Sequence, residues 1–280
     1  MIATQAKQKI AQSTLRVGSL LPILAILDEF GSDSEEVLGA AGINPSLIDD
    51  PDMLIPYAAR GKLIARSVEA TGCQHFGLLI GQRMDLHSLG LPGLLARSLP
   101  NVEAALHTLQ KHFAAHTTGA ALELGIEGDI ATLTYAFLAP NVEATDQLGG
   151  GAVAVLFNVM NSLCGPGFQA LEASFAHRRP ADIRPFREFF QIPLYFNAPR
   201  YSLIFSRKWL DVRPPTADEE LQRILQKQVD ALETKRTENF PEHVKLLIRS
   251  ALATGECSET GIAALLSLRP RTFIRRLESA

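Results

Sequence analysis

The spacing of apolar residues predicts helices over the first part of the chain. Up to about residue 117, apolar residues recur at helical intervals, in segments that open on a capping residue or close on a glycine. Ser32 and Asp33 precede one such segment and Gly42 follows it, while Asn101 is placed to cap another. The predicted helices of this part lie at about 31–43, 57–72, 91–98 and 101–119.

The pattern then changes to alternation. Within 121–137, apolar and polar residues alternate on both sides of a short turn that contains Gly128, which indicates a β-hairpin. The apolar stretch within 141–165 is too long for one strand, so we expect a buried helix there, although three glycines lie inside it. Beyond it, short strands are predicted at 170–177, 193–196 and 201–206, with a helix at 181–190. Helices and strands in this order predict an α+β fold.

Residues 212–236 predict one more helix before the chain changes character. Thr216 or Asp218 is placed to cap it. The residues expected on its apolar face are Leu221, Ile224, Leu225 and Val229. The charged stretch that follows is the predicted boundary between two domains, residues 1–236 and residues 237–280.

The last forty residues predict three short helices. Ser258 is placed to cap the second of them, and Pro270 opens the third. In the third helix Phe273 and Leu277 lie four residues apart and are expected to pack inward. The residues then expected on or near the open face are Arg271, Thr272 and Arg275, with Arg276 at its edge. Two short helices joined by a tight turn, the second rich in arginine, predict a helix-turn-helix.

The distribution of charge supports this interpretation of the tail. Residues 241–280 carry six basic and four acidic residues, whereas the whole chain has a net charge of −3. A basic tail on an acidic body indicates that only the tail meets a polyanion. The alternative is a solvated helix end, since cations are favoured at helix C-termini.

The sequence offers no convincing catalytic or metal-binding motif. Cys73, Cys164 and Cys257 are far apart and form no CxxC pair, which fits a reducing cytoplasm. His112 and His116 lie four apart on a predicted helix, but no acidic third ligand is evident, so a solvated or capping role is favoured over metal binding. Phosphate-loop and serine-elbow motifs are absent from the sequence. We therefore expect no enzyme activity, no metal and no cofactor.

The N-terminal region superficially resembles a signal sequence. Residues 1–17 are polar and are predicted to be mobile. Residues 17–27 are apolar, but Pro22 interrupts them and an acidic stretch follows without a cleavage site, so we interpret them as an amphipathic or buried helix. Without a run of ~18 apolar residues, no membrane span is expected. The predicted location is cytoplasmic.

The tail resembles the first helix-turn-helix of AraC-type transcriptional regulators, in the stretch SETGIAALLSLRPRTFIRRLESA. The body is similar to the arabinose-binding-like effector domain of one AraC subgroup, in the stretches LGLPGLLARSLPNVEAALHTLQKHFAAHTTG and SFAHRRPADIRPFREFFQIPLYFNAPRYSLIFSRKWLDVRPPTADEEL. The resemblance covers roughly residues 15–280, with both halves in the family's order.

The tail departs from the family pattern at several positions. Ser267 stands where the family usually has glycine in the turn, and Ile274 replaces a common glutamine. Arg269 replaces a capping serine, which costs about 1 kcal/mol of helix stability. The family continues into a long helix and a second helix-turn-helix, whereas this sequence ends at Ala280. We therefore expect about half of a DNA-binding domain here, whether by natural shortening or because the sequence is a part of a longer one.

The resemblance implies a DNA-binding transcriptional regulator controlled by a small-molecule effector in the body, most simply as a homodimer. It places the DNA contacts on the tail, at Ser258, Arg269, Arg271, Thr272, Arg275 and Arg276. The effector and its pocket residues cannot be assigned from spacing, and the subgroup's name does not establish a sugar. The alternative is a ligand-binding and dimerising module that does not touch DNA and acts through full-length partners.

Overall fold

A computed structural model describes residues 13–51, 53–238, 244, 245, 248, 258–265 and 270–278. The fold is α+β, as predicted, with a five-stranded sheet and helices packed against it. The helices are α1 Leu21–Glu29, α2 Ser34–Ala40, α3 Tyr57–Thr71, α4 Phe76–Gln82, α5 Leu91–Ser98, α6 Val102–His112, α7 Thr145–Cys164, α8 Arg184–Phe190, α9 Glu219–Glu238, α10 Glu259–Leu265 and α11 Pro270–Glu278.

The main sheet has the strand order β3-β4-β7-β5-β6. Its pairs are antiparallel except β5 with β6, which are parallel. A second, two-stranded sheet pairs β1 with β2. The strands are β1 Thr14–Arg16, β2 Leu54–Pro56, β3 Ala120–Glu127, β4 Ile130–Phe137, β5 Ala170–Phe175, β6 Leu194–Phe196 and β7 Tyr201–Ser206.

Local capping explains where several helices begin and end. The Asp33 carboxylate accepts hydrogen bonds from the backbone at the start of α2, and the Asn101 side chain accepts one from Ala104 N at 2.8 Å at the start of α6. Asp218 caps α9 in the same way. Gly72 closes α3 with φ of 68°, a conformation that side chains with a Cβ disfavour. These predictions are confirmed.

Helix α7 lies at the centre of the structure. It packs against α4 on one side and against β7, β5 and β4 on the other. Its length and composition would suit a membrane span, but 61% of its apolar window is buried inside the protein. The prediction of a buried helix at 141–165 is therefore confirmed.

The glycines of α7 and α4 allow these two helices to meet backbone to backbone. A Cβ on Gly77 would lie 2.0 Å from Gln147 O, and one on Gly81 would lie 2.3 Å from Gly151 O. Gly149 makes room for another neighbour, because a Cβ there would lie 2.2 Å from the Tyr201 ring. The run of glycines at 149–151 thus serves close packing rather than breaking the helix.

Three expectations about the body differ from the structure. Thr14–Arg16 forms strand β1 within the N-terminal segment that was predicted to be mobile, while residues 1–12 lie outside the described residues. The helix predicted over 101–119 ends at His112 and continues as a 3-10 turn to Ala115. On α9, Leu221 and Ile224 are exposed, because the helix contacts α5 along a narrower face than the pattern indicated.

The glycine contact between α4 and α7 predicts a large difference between two matched substitutions. Gly77→Ala forces a methyl group into the α7 backbone and is expected to lower the free energy of unfolding by about 1–3 kcal/mol. Gly39→Ala, on exposed α2 with no atom within 4 Å of the added Cβ, is expected to raise it by up to about 1 kcal/mol, because alanine is the better helix former. Urea denaturation of both variants measures this, and equal effects would contradict the contact.

Candidate functional site

A narrow internal cavity lies between the central helices and the sheet. Helices α3, α4, α6 and α7 and strands β3 and β4 form its walls. The centre of a water molecule can occupy about 60 Å³ of it, several times the ~10–15 Å³ that one water needs. Most of its wall is apolar, including Ile64, Leu122, Leu133, Val155 and Val159.

Arg60 brings a cation to this apolar cavity. It lies on α3, one turn after Tyr57 and one turn before Ile64, so that all three side chains share a helix face. Its Nε is buried without a hydrogen-bond partner, and Nη2 lies 4.0 Å from Met84 Sδ, a weak acceptor. None of the ion pairs within the described part of the chain includes Arg60.

Two tyrosine hydroxyls meet beside Arg60. Tyr57 and Tyr135 are buried, and their hydroxyl oxygens lie 2.6 Å apart. Burial raises the pKa of both phenols, while the Arg60 charge opposes the rise. The pair is therefore neutral and has two protons, of which the mutual hydrogen bond uses one.

His116 is the third polar group with unused hydrogen-bonding capacity. It follows the 3-10 turn Phe113–Ala115, packs its ring against Phe113 at 5.9 Å, and is 8% exposed. Its Nδ1 has no hydrogen-bond partner. Burial first, and then the charges of Arg60 and Arg16, lower the pKa of His116 from 6.5 to about 3, so the imidazole is neutral at physiological pH.

The remaining polar residues of the cavity are already engaged. Thr117 Oγ1 donates to Thr14 O at 2.9 Å and accepts from Gly119 N at 3.0 Å. Gln147 accepts from Gly77 N at 2.8 Å and donates to the Gln74 carbonyl at 2.9 Å. These two side chains fix the wall and leave Arg60, His116 and Tyr135, the last with its hydrogen-bond partner Tyr57, to face a ligand.

The two C-terminal helices pack through a small apolar cluster, called here the terminal cluster. Strand β2 contributes a neighbour to it, because Leu54 packs against its buried side chains. The terminal cluster consists of Val244, Ile262, Ala263 and Phe273. Ser258 caps α10, since its Oγ accepts from Gly261 N at 3.0 Å, as the sequence predicted.

The structure describes most of the predicted DNA-contacting residues. Arg271 and Arg275 are exposed on α11, and Thr272 is half-buried between them. Ser258 is exposed at the start of α10. Arg276 lies in α11, but its side chain is outside the described residues, and Arg269 lies outside them altogether. The exposed arginines therefore stand on the face of α11 opposite the terminal cluster.

Comparison with known proteins places this architecture in a family. Residues 31–214 match the family described as "Arabinose-binding domain of AraC transcription regulator, N-term". The match covers the cavity and every strand of the five-stranded sheet. The chain belongs to the AraC family of transcription regulators. Members of this family are transcription regulators and not enzymes. Family membership therefore confirms the expectation that this chain is not an enzyme.

Individual relatives within the AraC family are distant. The ornithine utilization regulator of Pseudomonas aeruginosa is 23% identical over 210 residues, which are 75% of this chain but 62% of that protein. The HTH-type transcriptional regulator VirS of Mycobacterium tuberculosis is 26% identical over 278 residues, 95% of this chain and 78% of VirS. The crystal structure of the transcriptional regulator CdpR from Pseudomonas aeruginosa aligns with a TM-score of 0.48 at 18% identity, over 72% of this chain and 67% of CdpR.

Residue spacing in this AraC-family chain does not identify the cavity residues. One local feature could have pointed to them, because Arg60 interrupts the otherwise apolar helix face formed by Tyr57 and Ile64. A charge on a buried face is uncommon unless it has a partner. The matching tyrosine on β4 and the histidine after α6 are distant in sequence, so spacing alone cannot join them to Arg60.

Of the solvated or capping role expected of two histidines, the solvated alternative was wrong. His112 and His116 are both buried, at 3% and 8% exposure, because the chain after α6 turns under the sheet instead of continuing as a surface helix. In the part of the chain that the structure describes, no group of three or more His, Cys, Asp or Glu side chains is placed to hold a metal. Burial raises the pKa of the Cys164 thiol to about 12, which suits the structural role predicted for it.

The buried neutral His116 predicts a loss of stability in mild acid. The folded-state pKa of about 3 lies below the unfolded value of 6.5, so the unfolded chain binds more protons between these values. The stabilisation is complete above pH 6.5 and is lost as the pH falls toward 3. From pH 6.5 to 5 we expect this group to lower the free energy of unfolding by about 1.5 kcal/mol, measured by urea denaturation.

The His116→Gln variant separates this effect from other titrations. It removes the titrating group, so its stability is expected to fall less steeply with pH than that of the wild type. His107→Gln is the control, because His107 is an exposed histidine on neighbouring α6. A His116→Gln profile parallel to the wild-type profile would contradict the assignment.

Proposed function

We propose that the chain is a DNA-binding transcriptional regulator whose activity responds to a small effector held in the internal cavity. Residues 1–236 serve as the effector-binding and dimerisation domain, and residues 237–280 contribute a helix-turn-helix. Family membership supports the regulatory role. The observation that carries the DNA-binding part is the exposed basic face of α11.

Helix α11 has a buried apolar face and an exposed basic face, as a DNA-recognition helix requires. Phe273 is 4% exposed and anchors the helix to α10. Arg271 and Arg275 lie four residues apart, on one side of the helix, and both face solvent. Guanidinium groups on such a face grip phosphates or the O6/N7 edge of guanine in the major groove. Leu277, which was expected to pack inward, is instead 38% exposed, so that expectation was wrong and Phe273 alone of the two anchors the helix.

The first helix of the proposed motif offers a phosphate contact. Ser258 is exposed at the N-terminal end of α10, where the helix dipole and free backbone N–H groups favour an anion. Arg269, Thr272 and Arg276 complete the proposed DNA-contacting set, on the strength of the sequence pattern.

A physical connection between the cavity and the DNA-binding part supports effector control. Leu54 of β2 packs against the terminal cluster. Three residues later the chain enters α3, whose first two turns carry Arg60, which lines the cavity, and Tyr57, which hydrogen-bonds the cavity-lining Tyr135. A ligand that shifts α3 thereby shifts the support of α10 and α11, and a difference in affinity between two such arrangements is sufficient for regulation.

The proposal includes a homodimer located in the cytoplasm. Helices α5 and α9 pack together and leave three large apolar side chains exposed on their outer surface. These are Leu94, Leu221 and Ile224, at 40%, 44% and 47% exposure. Exposed apolar side chains of this size on two packed helices support self-association.

The salt dependence of DNA binding tests the proposed interface. Three or four phosphate contacts give a slope of about −3 for log K against log salt concentration. Arg271→Ala and Arg275→Ala are each expected to weaken binding and to reduce the magnitude of this slope by about 1. Fluorescence anisotropy with a labelled random-sequence duplex, from about 50 to 200 mM salt, measures both quantities.

The matched control removes one arginine charge from a surface outside α11. Arg207→Ala deletes an exposed arginine that follows β7 and lies outside the proposed DNA-contacting set, and its backbone bond to Asp129 O is retained. We expect its slope to equal that of the wild type. Salt-independent binding by the wild type, or equal losses in Arg207→Ala and Arg271→Ala, would contradict the proposal and favour a module that does not touch DNA.

A further inference from the structure

The polar groups around the cavity that still have unused hydrogen-bonding atoms can all act as donors. Arg60 has an unpaired buried Nε–H and cannot lose its charge. The hydroxyls of Tyr57 and Tyr135 have one proton beyond their mutual bond. The neutral imidazole of His116 can present N–H at Nδ1, which has no partner. Such a set matches a ligand group that accepts hydrogen bonds and is negatively charged.

The cavity offers no carboxylate to a ligand cation. Among the described side chains that line it, none is an aspartate or a glutamate. A buried ammonium group without a carboxylate partner is strongly disfavoured, so zwitterionic and cationic amino acids fit poorly. A sugar fits poorly as well, because each buried hydroxyl needs a partner and Thr117 and Gln147 are already engaged.

The shape and lining of the cavity favour a slim hydrocarbon group. The space is narrow, with about 60 Å³ open to water centres, and its far walls are leucine, isoleucine and valine side chains. The glycine contact between α4 and α7 closes one side with backbone atoms. Burying a methylene chain against such walls is favourable because it removes apolar surface from water.

A polar groove adjoins the cavity at His116. His116 lines both the cavity and this groove, whose volume is about 510 Å³ by the same measure. Arg16, Arg83 and His87 also line the groove. Arg83 pairs with Glu29, and His87 pairs with Asp85 at 3.0 Å. Two of the basic side chains of the groove therefore already have acidic partners, whereas Arg60 in the cavity has none among the described residues.

We infer that the cavity binds an apolar monocarboxylate, with its carboxylate on Arg60, the tyrosine pair and His116, and its hydrocarbon chain against the apolar wall. The inference rests on the proposed function, in which this cavity is the effector site, and names the chemical class of the effector. Binding relieves the cost of a partly buried cation without a counterion, so the ligand stabilises the folded chain.

Head-group variants of one hydrocarbon chain test the inference. Octanoate, octan-1-ol and octylammonium have the same tail and differ in charge, and L-arabinose and L-ornithine represent the other classes. Isothermal titration calorimetry at pH 7.5 measures the affinity of the 280-residue chain for each. We expect octanoate to bind about 10- to 100-fold more tightly than octan-1-ol, since hydrogen bonds to charged groups are the stronger ones. Octylammonium, arabinose and ornithine are expected not to bind.

Substitution of Arg60 shows whether the charge is the cause. Arg60→Met retains apolar bulk and is expected to weaken octanoate binding about 10- to 100-fold while leaving octan-1-ol binding unchanged. Arg66→Met is the matched control, because Arg66 lies on the same helix α3 and pairs with Glu69 at the surface. Tyr135→Phe removes one hydroxyl and is expected to weaken octanoate binding by a smaller factor.

The stability of unliganded Arg60→Met distinguishes a ligand-binding arginine from one that stabilises the fold. Without ligand, the variant is expected to unfold at the same urea concentration as the wild type or a higher one, because it removes a partly buried cation that has no counterion. A lower midpoint would show that Arg60 stabilises the empty fold and would overturn the inference. If Arg60→Met does not fold, the same conclusion follows.

Other outcomes also overturn the inference. These are absence of octanoate binding, equal affinity for octanoate and octan-1-ol, and tight binding of arabinose or ornithine. Failure of the proposed function is distinct from all of them. If octanoate binds through Arg60 but the anisotropy of labelled DNA is the same with and without it, the cavity assignment stands and the regulatory role of the cavity is wrong.

Discussion

The backbone contact between α4 and α7 is the constraint on which the rest of this structure depends. Gly77, Gly81 and Gly151 have no side chains at the crossing, so the two helices approach more closely than any larger residue allows. This contact holds α7 over the sheet and sets the width of the space between α7, α3 and β4. The narrow cavity is thus a consequence of helix packing, and its position is fixed by the fold rather than by a loop.

A cation in such a space needs an explanation. Arg60 extends from α3 toward neutral groups, and neither the tyrosine pair nor His116 can balance its charge. A core selected only for stability would fill this position with an apolar side chain. The arrangement is the one expected of a binding site, in which the missing interaction is supplied by a ligand. The proposed effector site is therefore a departure from good core packing.

The sequence predicted most helices and strands but not the cavity, because helices and strands depend on local signals and the cavity depends on contacts between distant segments. Caps such as Asp33 and Asn101, the hairpin turn at Gly128 and the buried period of α7 are local signals, and the structure has them all. The cavity joins α3, β4 and the turn after α6, which no spacing rule connects. The predicted apolar face of α9 was wider than the buried one. Amphipathic spacing shows which side chains are apolar, but it does not show how many of them pack against another element. The tail was predicted from a family pattern, and Ser258 and Phe273 are placed as that pattern expects.

The proposed coupling between the cavity and helix α11 runs through α3, β2 and the terminal cluster, against which Leu54 packs. Thermodynamic linkage makes this coupling measurable from the cavity side. The most direct measurement is the affinity of the chain for octanoate, with and without a saturating DNA duplex selected by the chain from random sequence. If the two sites are coupled, the two affinities are expected to differ by about 5- to 150-fold. Equal octanoate affinities in the two conditions would contradict the coupling.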